Sequence, residues 1–271
     1  CTKIWPPTEP GEELGLSIVD KLTMLRCDTD GNSILDIRVR NSDNYGANDT
    51  YKTLYEEMEK EFSPDYDVVF FGYDWRQANS TSGEQLKELV RKYNQVVIIA
   101  HSMGGIVTSH MLMDETIRNR VAKVITIGTP FLGSLDMLPA MTHGDLELID
   151  EYTKDLDDFV GWLLTEGAQV LIQSLAVNIP SLYELLPNRK FFDLADRWYY
   201  SENCIISGDT TVTNFDDTQD SLEDVIPNFN FGLAEAAKER NDSLWANNSH
   251  VTAHVDAYHI VGEGFATENR Y

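Results

Sequence analysis

Val96-Val97-Ile98-Ile99-Ala100-His101-Ser102-Met103-Gly104-Gly105 decides the fold. Its first four residues are an apolar, β-branched run suited to a buried strand, and the residues from Gly104 to Met113 suit a helix. Ala100 and Gly104 stand two before and two after a serine, small enough for strand and helix to cross closely at a sharp turn. Glycine usually occupies the place of Ala100, so this is a conservative departure. A turn of this kind lifts the Ser102 hydroxyl above a sheet, where a histidine can take its proton, and aims the Met103 N–H at a developing oxyanion. Ser102 is the candidate nucleophile and Met103 a candidate oxyanion donor through its main chain. His101 is expected to point to the opposite side of the strand and to pack rather than act as base. The competing reading makes Ser102 a simple helix N-cap.

Outward from this turn, Ile34 to Val39, Asp67 to Phe71 and Val121 to Ile127 read as strands, and Tyr51 to Phe62 and Gly83 to Tyr93 read as helices. The alternation predicts a doubly wound α/β core with its site at the carboxyl ends of the strands. After Gly128-Thr129-Pro130-Phe131-Leu132-Gly133-Ser134 the alternation stops. Residues 135 to 250 are expected to form a mainly helical cap insertion, because more than a hundred residues far exceed an ordinary crossover. Ala257 to Gly262 reads as a return to the sheet, so residues 1–134 and 251–271 are assigned to the core, with a lid-like loop over about 1–30.

A net charge of −24 on 271 residues excludes nucleic acid as a natural partner. No uninterrupted apolar run reaches the ~18 residues of a membrane span, and Gly167 to Tyr183 suits an amphipathic helix. Cys1, Cys27 and Cys204 allow one internal disulfide at most. Glycosylation-type triplets begin at Asn48, Asn79, Asn241 and Asn247 and hint at a secreted or extracytoplasmic location. No cofactor is expected. His250 and His254 have helical metal-site spacing without a third ligand, and Asp28-Thr29-Asp30-Gly31-Asn32 reads as a turn rather than a calcium loop.

Several motifs together resemble the lecithin:cholesterol acyltransferase family nearly end to end. They are Ile4-Trp5 and Cys27, Tyr73-Asp74-Trp75-Arg76, the Ala100–Gly105 turn, Ile127-Gly128-Thr129-Pro130 with Gly133-Ser134, Ser181 to Pro187, and Val261-Gly262-Glu263-Gly264 with Thr267. The resemblance implies an α/β-hydrolase fold, a lipid acyl-ester substrate with peripheral contact to lipid surfaces, and hydrolysis or acyl transfer through an acyl-serine. A catalytically incomplete lipid-binding protein of the same fold is the alternative. The resemblance also suggests that Cys27 pins a lid, with Cys1 as partner, that Asp74 and Arg76 form an ion pair, and that Trp75 lines the acyl pocket.

By chain order alone, Asp209 with His250, His254 or His259 would complete a triad. The resemblance argues otherwise. It places the aspartate and histidine beyond Tyr271 and a further oxyanion donor before Ile4, so the chain is expected to be truncated at both ends, with the acid and base outside it.

Overall fold

The computed structural model describes residues 18–39, 50–134, 137–144, 167–195, 205–207, 210–212, 222–224, 226–246 and 249–262. In chain order the named helices are α1 (Ile18–Met24), α2 (Lys52–Phe62), α3 (Asn79–Val90), α4 (Met103–Leu112), α5 (Glu115–Arg118), α6 (Leu138–Thr142), α7 (Gly167–Ala176), α8 (Pro180–Leu185), α9 (Arg189–Ala195) and α10 (Phe231–Ser243). The strands are β1 (Val96–His101), β2 (Val121–Ile127), β3 (Ile205–Ser207), β4 (Thr210–Val212), β5 (Trp245–Ala246), β6 (Ser249–His250) and β7 (Ala257–Ile260).

The central sheet is parallel, in the order β1-β2-β7. Parallel neighbours need long crossovers, and here the chain passes through α4 and α5 from β1 to β2, and through well over a hundred residues from β2 to β7. Ile98 pairs with Val124 and Ile127 with Ile260, so strand ends lie level and the loops after β1 and β2 emerge at one edge. On one face α3 and α4 pack over Ile98 and Val124 in a core that includes Leu86, Val90, Ile106, Val107, Met111 and Leu112. The other face carries Val97, Ile99, Tyr258 and Ile260, each at least 38% exposed. A second core joins Cys27, Leu138, Met141, Ile179, Leu182, Tyr183, Ile226 and Leu233, far apart in sequence.

Two expected strands do not form among the described residues: Ile34 to Val39 and Asp67 to Phe71 run without ladder partners there. The apolar pattern specified extension, but a strand needs a hydrogen-bonded neighbour. The Val68 carbonyl instead accepts from the Tyr55 hydroxyl at 3.2 Å. A shorter hairpin contact forms upstream, where Cys27 bridges Ser33. The helix expected from Gly83 begins at Asn79, and the approach to β7 forms a 3-10 turn, Val251–His254, not extended chain. Gly167 to Tyr183 forms two helices, not one, because Asn178 and Pro180 interrupt it; helical segments Gln169–Ala176 and Pro180–Phe192 meet at 80°. No single helix among the described residues is long and apolar enough to cross a membrane.

Candidate active site

Ser102 occupies the junction between β1 and α4 with φ 51° and ψ −130°, a conformation rare for residues with a Cβ. Such strain persists only where the surroundings hold it in place. Here the Ser102 N–H donates to the Ile127 carbonyl at 2.9 Å, and the Ser102 carbonyl accepts from Gly105 N–H at 3.0 Å. The turn is thereby fixed to the end of β2 on one side and to the first turn of α4 on the other. The Ser102 hydroxyl does not cap the helix. Met103 is the first helical residue, and its amide is among the donors that a helix start leaves without an intrahelical acceptor.

The glycines after the serine act differently. A Cβ on Gly105 would come within 2.2 Å of Thr129 Oγ1, so the Ile-Gly-Thr-Pro segment can close over α4 only because Gly105 has no side chain. A Cβ on Gly104 would lie in ordinary contact, 3.8 Å from Ala100 Cβ and 3.9 Å from Tyr73 Oη. The Tyr73 hydroxyl therefore lies over the first turn of α4. The ring packs beside Phe71, with centroids 6.0 Å apart, and against the α4 core. Burial, with Tyr51 adding, raises the phenol above its ordinary pKa, so Tyr73 stays protonated.

His101 is exposed, not packed in the interior. Its Nδ1 is 2.7 Å from the Tyr51 hydroxyl, and the two rings meet edge-on at 5.6 Å. Strand alternation puts His101 on the open face with Val97 and Ile99, while Ala100 faces α4.

Asp74 and Arg76 form the expected ion pair. Arg76 Nη2 lies 2.6 Å from Asp74 Oδ2, and Arg76 Nε donates to Oδ1 at 2.9 Å. Sequence reasoning missed the rest of this guanidinium's bonding. Nη1 donates to the Leu25 carbonyl at 2.9 Å and Nη2 to Ser33 Oγ at 3.0 Å, holding the 25–33 hairpin against the tetrad. Arg76 is 1% exposed and fully engaged. The hairpin tip is an Asx turn in which Asp28 Oδ1 accepts from the Asn32 and Asp30 amides at 2.8 and 3.0 Å, with Gly31 at φ 82°. Trp75 is half-buried against the second core, next to the cluster containing Cys27 and Met141. Cys27 is buried and has no disulfide partner among the described residues, and burial pushes its thiol pKa up. Cys1, its suggested partner, lies outside the described residues, as do Ile4, Trp5, Gly264 and Thr267.

Two other markers meet in space. Gly133, at φ 97°, presses its backbone against Leu186 and Pro187, Ser134 N–H donates to the Leu185 carbonyl at 2.6 Å, and Asn188 N–H to the Leu132 carbonyl at 3.0 Å. Glu184 in the same segment is 1% exposed, accepts from the Asn79 amide at 2.9 Å and pairs with Arg240. Asn79 is 0% and Asn241 7% exposed, so the acceptor asparagines of two of the four glycosylation-type triplets are buried and give no support to a secretory reading.

Asp209 lies outside the described residues, between paired strands β3 and β4. His250 is half-buried between Phe131 and Trp245, its Nδ1 2.9 Å from Thr252 Oγ1, and desolvation lowers its pKa to about 4. His259 Nδ1 lies 2.7 Å from Thr126 Oγ1, and His254 is exposed. His110, buried in α4, has a pKa lowered to about 4, by burial first and then by Arg240 and Lys87. Among the described residues no cluster of His, Cys, Asp or Glu is arranged to hold a metal ion.

The family model for lecithin:cholesterol acyltransferase matches residues 42–271. The chain belongs to the lecithin:cholesterol acyltransferase family. Family membership makes it an α/β-hydrolase, in accord with the parallel sheet and its flanking helices. It is 30% identical over 187 residues to "Phospholipase A(1) LCAT3" of Arabidopsis thaliana, covering 65% of this chain and 37% of that protein. It is 35% identical over 92 residues to the uncharacterized protein YJR098C of Saccharomyces cerevisiae, covering 31% of this chain and 13% of that one. The chain thus spans well under half the length of either relative.

Proposed function

We propose that the full-length protein is a lipid acyl-ester hydrolase or O-acyltransferase that works through an acyl-enzyme on Ser102. The observation that carries this reading is the backbone of Ser102: a non-glycine residue at φ 51° between a parallel strand and a helix, in a member of the lecithin:cholesterol acyltransferase family. The 30% identity to a plant phospholipase A(1) favours a glycerophospholipid as acyl donor.

In this reading Ser102 Oγ attacks the ester carbonyl carbon and gives its proton to a histidine. The carbonyl electron pair moves onto oxygen, where the Met103 N–H donates a hydrogen bond in line with the α4 dipole. Collapse of the intermediate expels the alcohol and leaves the acyl group on Ser102. Water then regenerates the serine in a hydrolase, and an alcohol does so in an acyltransferase. The base and its carboxylate are assigned to the rest of the full-length protein, as the family resemblance implies; His250 and His259 bond threonine hydroxyls through Nδ1. In this reading Trp75 contributes to the acyl pocket and the cap is assigned to residues 135–250, whose described segment at Leu186 meets Gly133.

The test is labelling of full-length protein with a fluorophosphonate, followed by peptide mapping, alongside release of fatty acid from phosphatidylcholine vesicles. Label on Ser102 and release that is lost in Ser102→Ala are expected. An unlabelled Ser102 with tight vesicle binding would favour the catalytically incomplete lipid binder instead.

A further inference from the structure

Tyr73 has a hydroxyl that the fold leaves unused. Among the described residues it has no hydrogen-bond partner, although its ring is packed beside Phe71 and against the α4 core. The ring is packed while the hydroxyl oxygen keeps contact with solvent, so it can donate to an incoming ligand without first giving up a bond within the protein. Its position narrows the choice. The oxygen lies 3.9 Å from where a Gly104 Cβ would stand, over the first turn of α4, two residues beyond Ser102 and one beyond the amide assigned to the oxyanion. Ser102 Oγ is likewise without a partner among the described residues, so two free hydroxyls flank one helix start. Of the other polar groups beside the turn, His101 is occupied by Tyr51 on the open face of the sheet, and Thr129 Oγ1, also without a partner among the described residues, is buried against Gly105.

We propose that Tyr73 is a catalytic residue that donates its phenolic hydrogen to the substrate oxyanion, beside the Met103 amide. The inference rests on the acyl-serine reading above and adds a side-chain donor to it. As Ser102 Oγ bonds to the ester carbon, the carbonyl pair becomes a lone pair on oxygen, and Tyr73 shortens its hydrogen bond to that oxygen without giving up its proton. The serine proton goes to the histidine base. The raised pKa of Tyr73 is in keeping with a donor that stays neutral. Because charge on that oxygen grows only as the transition state is approached, the bond should contribute to kcat more than to KM.

The experiment uses full-length protein, p-nitrophenyl butyrate and a fluorophosphonate. Tyr73→Phe should lower kcat about 100-fold, at the lower edge of the loss expected for one oxyanion donor, with KM within about twofold. Labelling of Ser102 should slow by a similar factor, and the melting temperature should hold. Tyr73→3-fluorotyrosine, a stronger donor of nearly the same shape, should retain wild-type kcat or exceed it. Unchanged kcat and labelling in Tyr73→Phe would overturn the proposal. So would equal losses in both variants with a lowered melting temperature, which would mark Tyr73 as a packing residue. Failure of the unmodified protein to label at Ser102 would instead overturn the acyl-serine reading itself.

Discussion

The serine turn and the arginine-anchored hairpin sit at opposite extremes of polar satisfaction. At the turn, Ser102 is held at φ 51° with its hydroxyl uncapped, and Tyr73 above it has no partner among the described residues. At the hairpin, Arg76 is 1% exposed and meets a carboxylate, a backbone carbonyl and a hydroxyl. The Glu184 carboxylate is likewise bonded, to the Asn79 backbone N–H and to Arg240, although the Asn79 side chain and Arg240 Nη2 have no partners among the described residues. The groups that anchor the hairpin are bonded, whereas those at the turn are left strained and free. A group without a partner is available to a substrate, and a bonded one is not.

The sharpest way to break this contrast is Ser102→Ala in the full-length protein. Ester hydrolysis should fall ~10^4-fold or more, as expected for loss of a nucleophile, while the melting temperature stays level, since alanine keeps the Cβ and the same backbone strain. A stable protein that kept its activity would remove Ser102 from the chemistry. Arg76→Met should do the reverse. Leaving Asp74 and the Leu25 carbonyl without their donor should cost about 3 kcal/mol by urea unfolding, in the range for breaking a buried pair. Any loss of activity should then follow the folded fraction.

Acid should separate the two kinds of site further. His110 and His250 have pKa values lowered to about 4, so in the folded state they stay neutral while the unfolded chain takes up protons near its ordinary value of about 6.5. Stability is therefore full above that ordinary value and is lost as pH falls from ~6.5 toward about 4. The urea midpoint should drop across this window, and His110→Gln should make the drop shallower whatever it does to the midpoint at neutral pH. The smallest effect belongs to His101→Ala. His101 bonds Tyr51 on the open face, so kcat should change less than about threefold; a 100-fold loss would restore His101 as a base candidate.

The local part of the structure was legible. β1, β2, the helix after Ser102 and the return strand β7 follow from apolar runs, small residues and spacing, all of which act within a few residues. The expected strands at Ile34 to Val39 and Asp67 to Phe71 failed because pattern specifies extension while pairing depends on a distant neighbour; Tyr55 took the Val68 carbonyl instead. His101 was expected to pack, and its neighbour Tyr51, fifty residues earlier, bonds it at the surface. Asp74 and Arg76 were legible as a pair because they are two residues apart, but the hold on Leu25 and Ser33 was not. Tyr73 was legible only as part of a motif. Nothing within its own segment says that its hydroxyl meets Gly104.

By itself, then, the sequence determined the strand-serine-helix turn, its small residues and the family markers, since backbone sterics and short-range periodicity act along the chain. Tertiary structure alone decided that Gly105 admits Thr129, that Arg76 anchors the hairpin, that two glycosylation-type asparagines are buried, and that Tyr73 stands over the helix start. Those outcomes depend on which remote segments share a surface, and only packing of the whole chain supplies that.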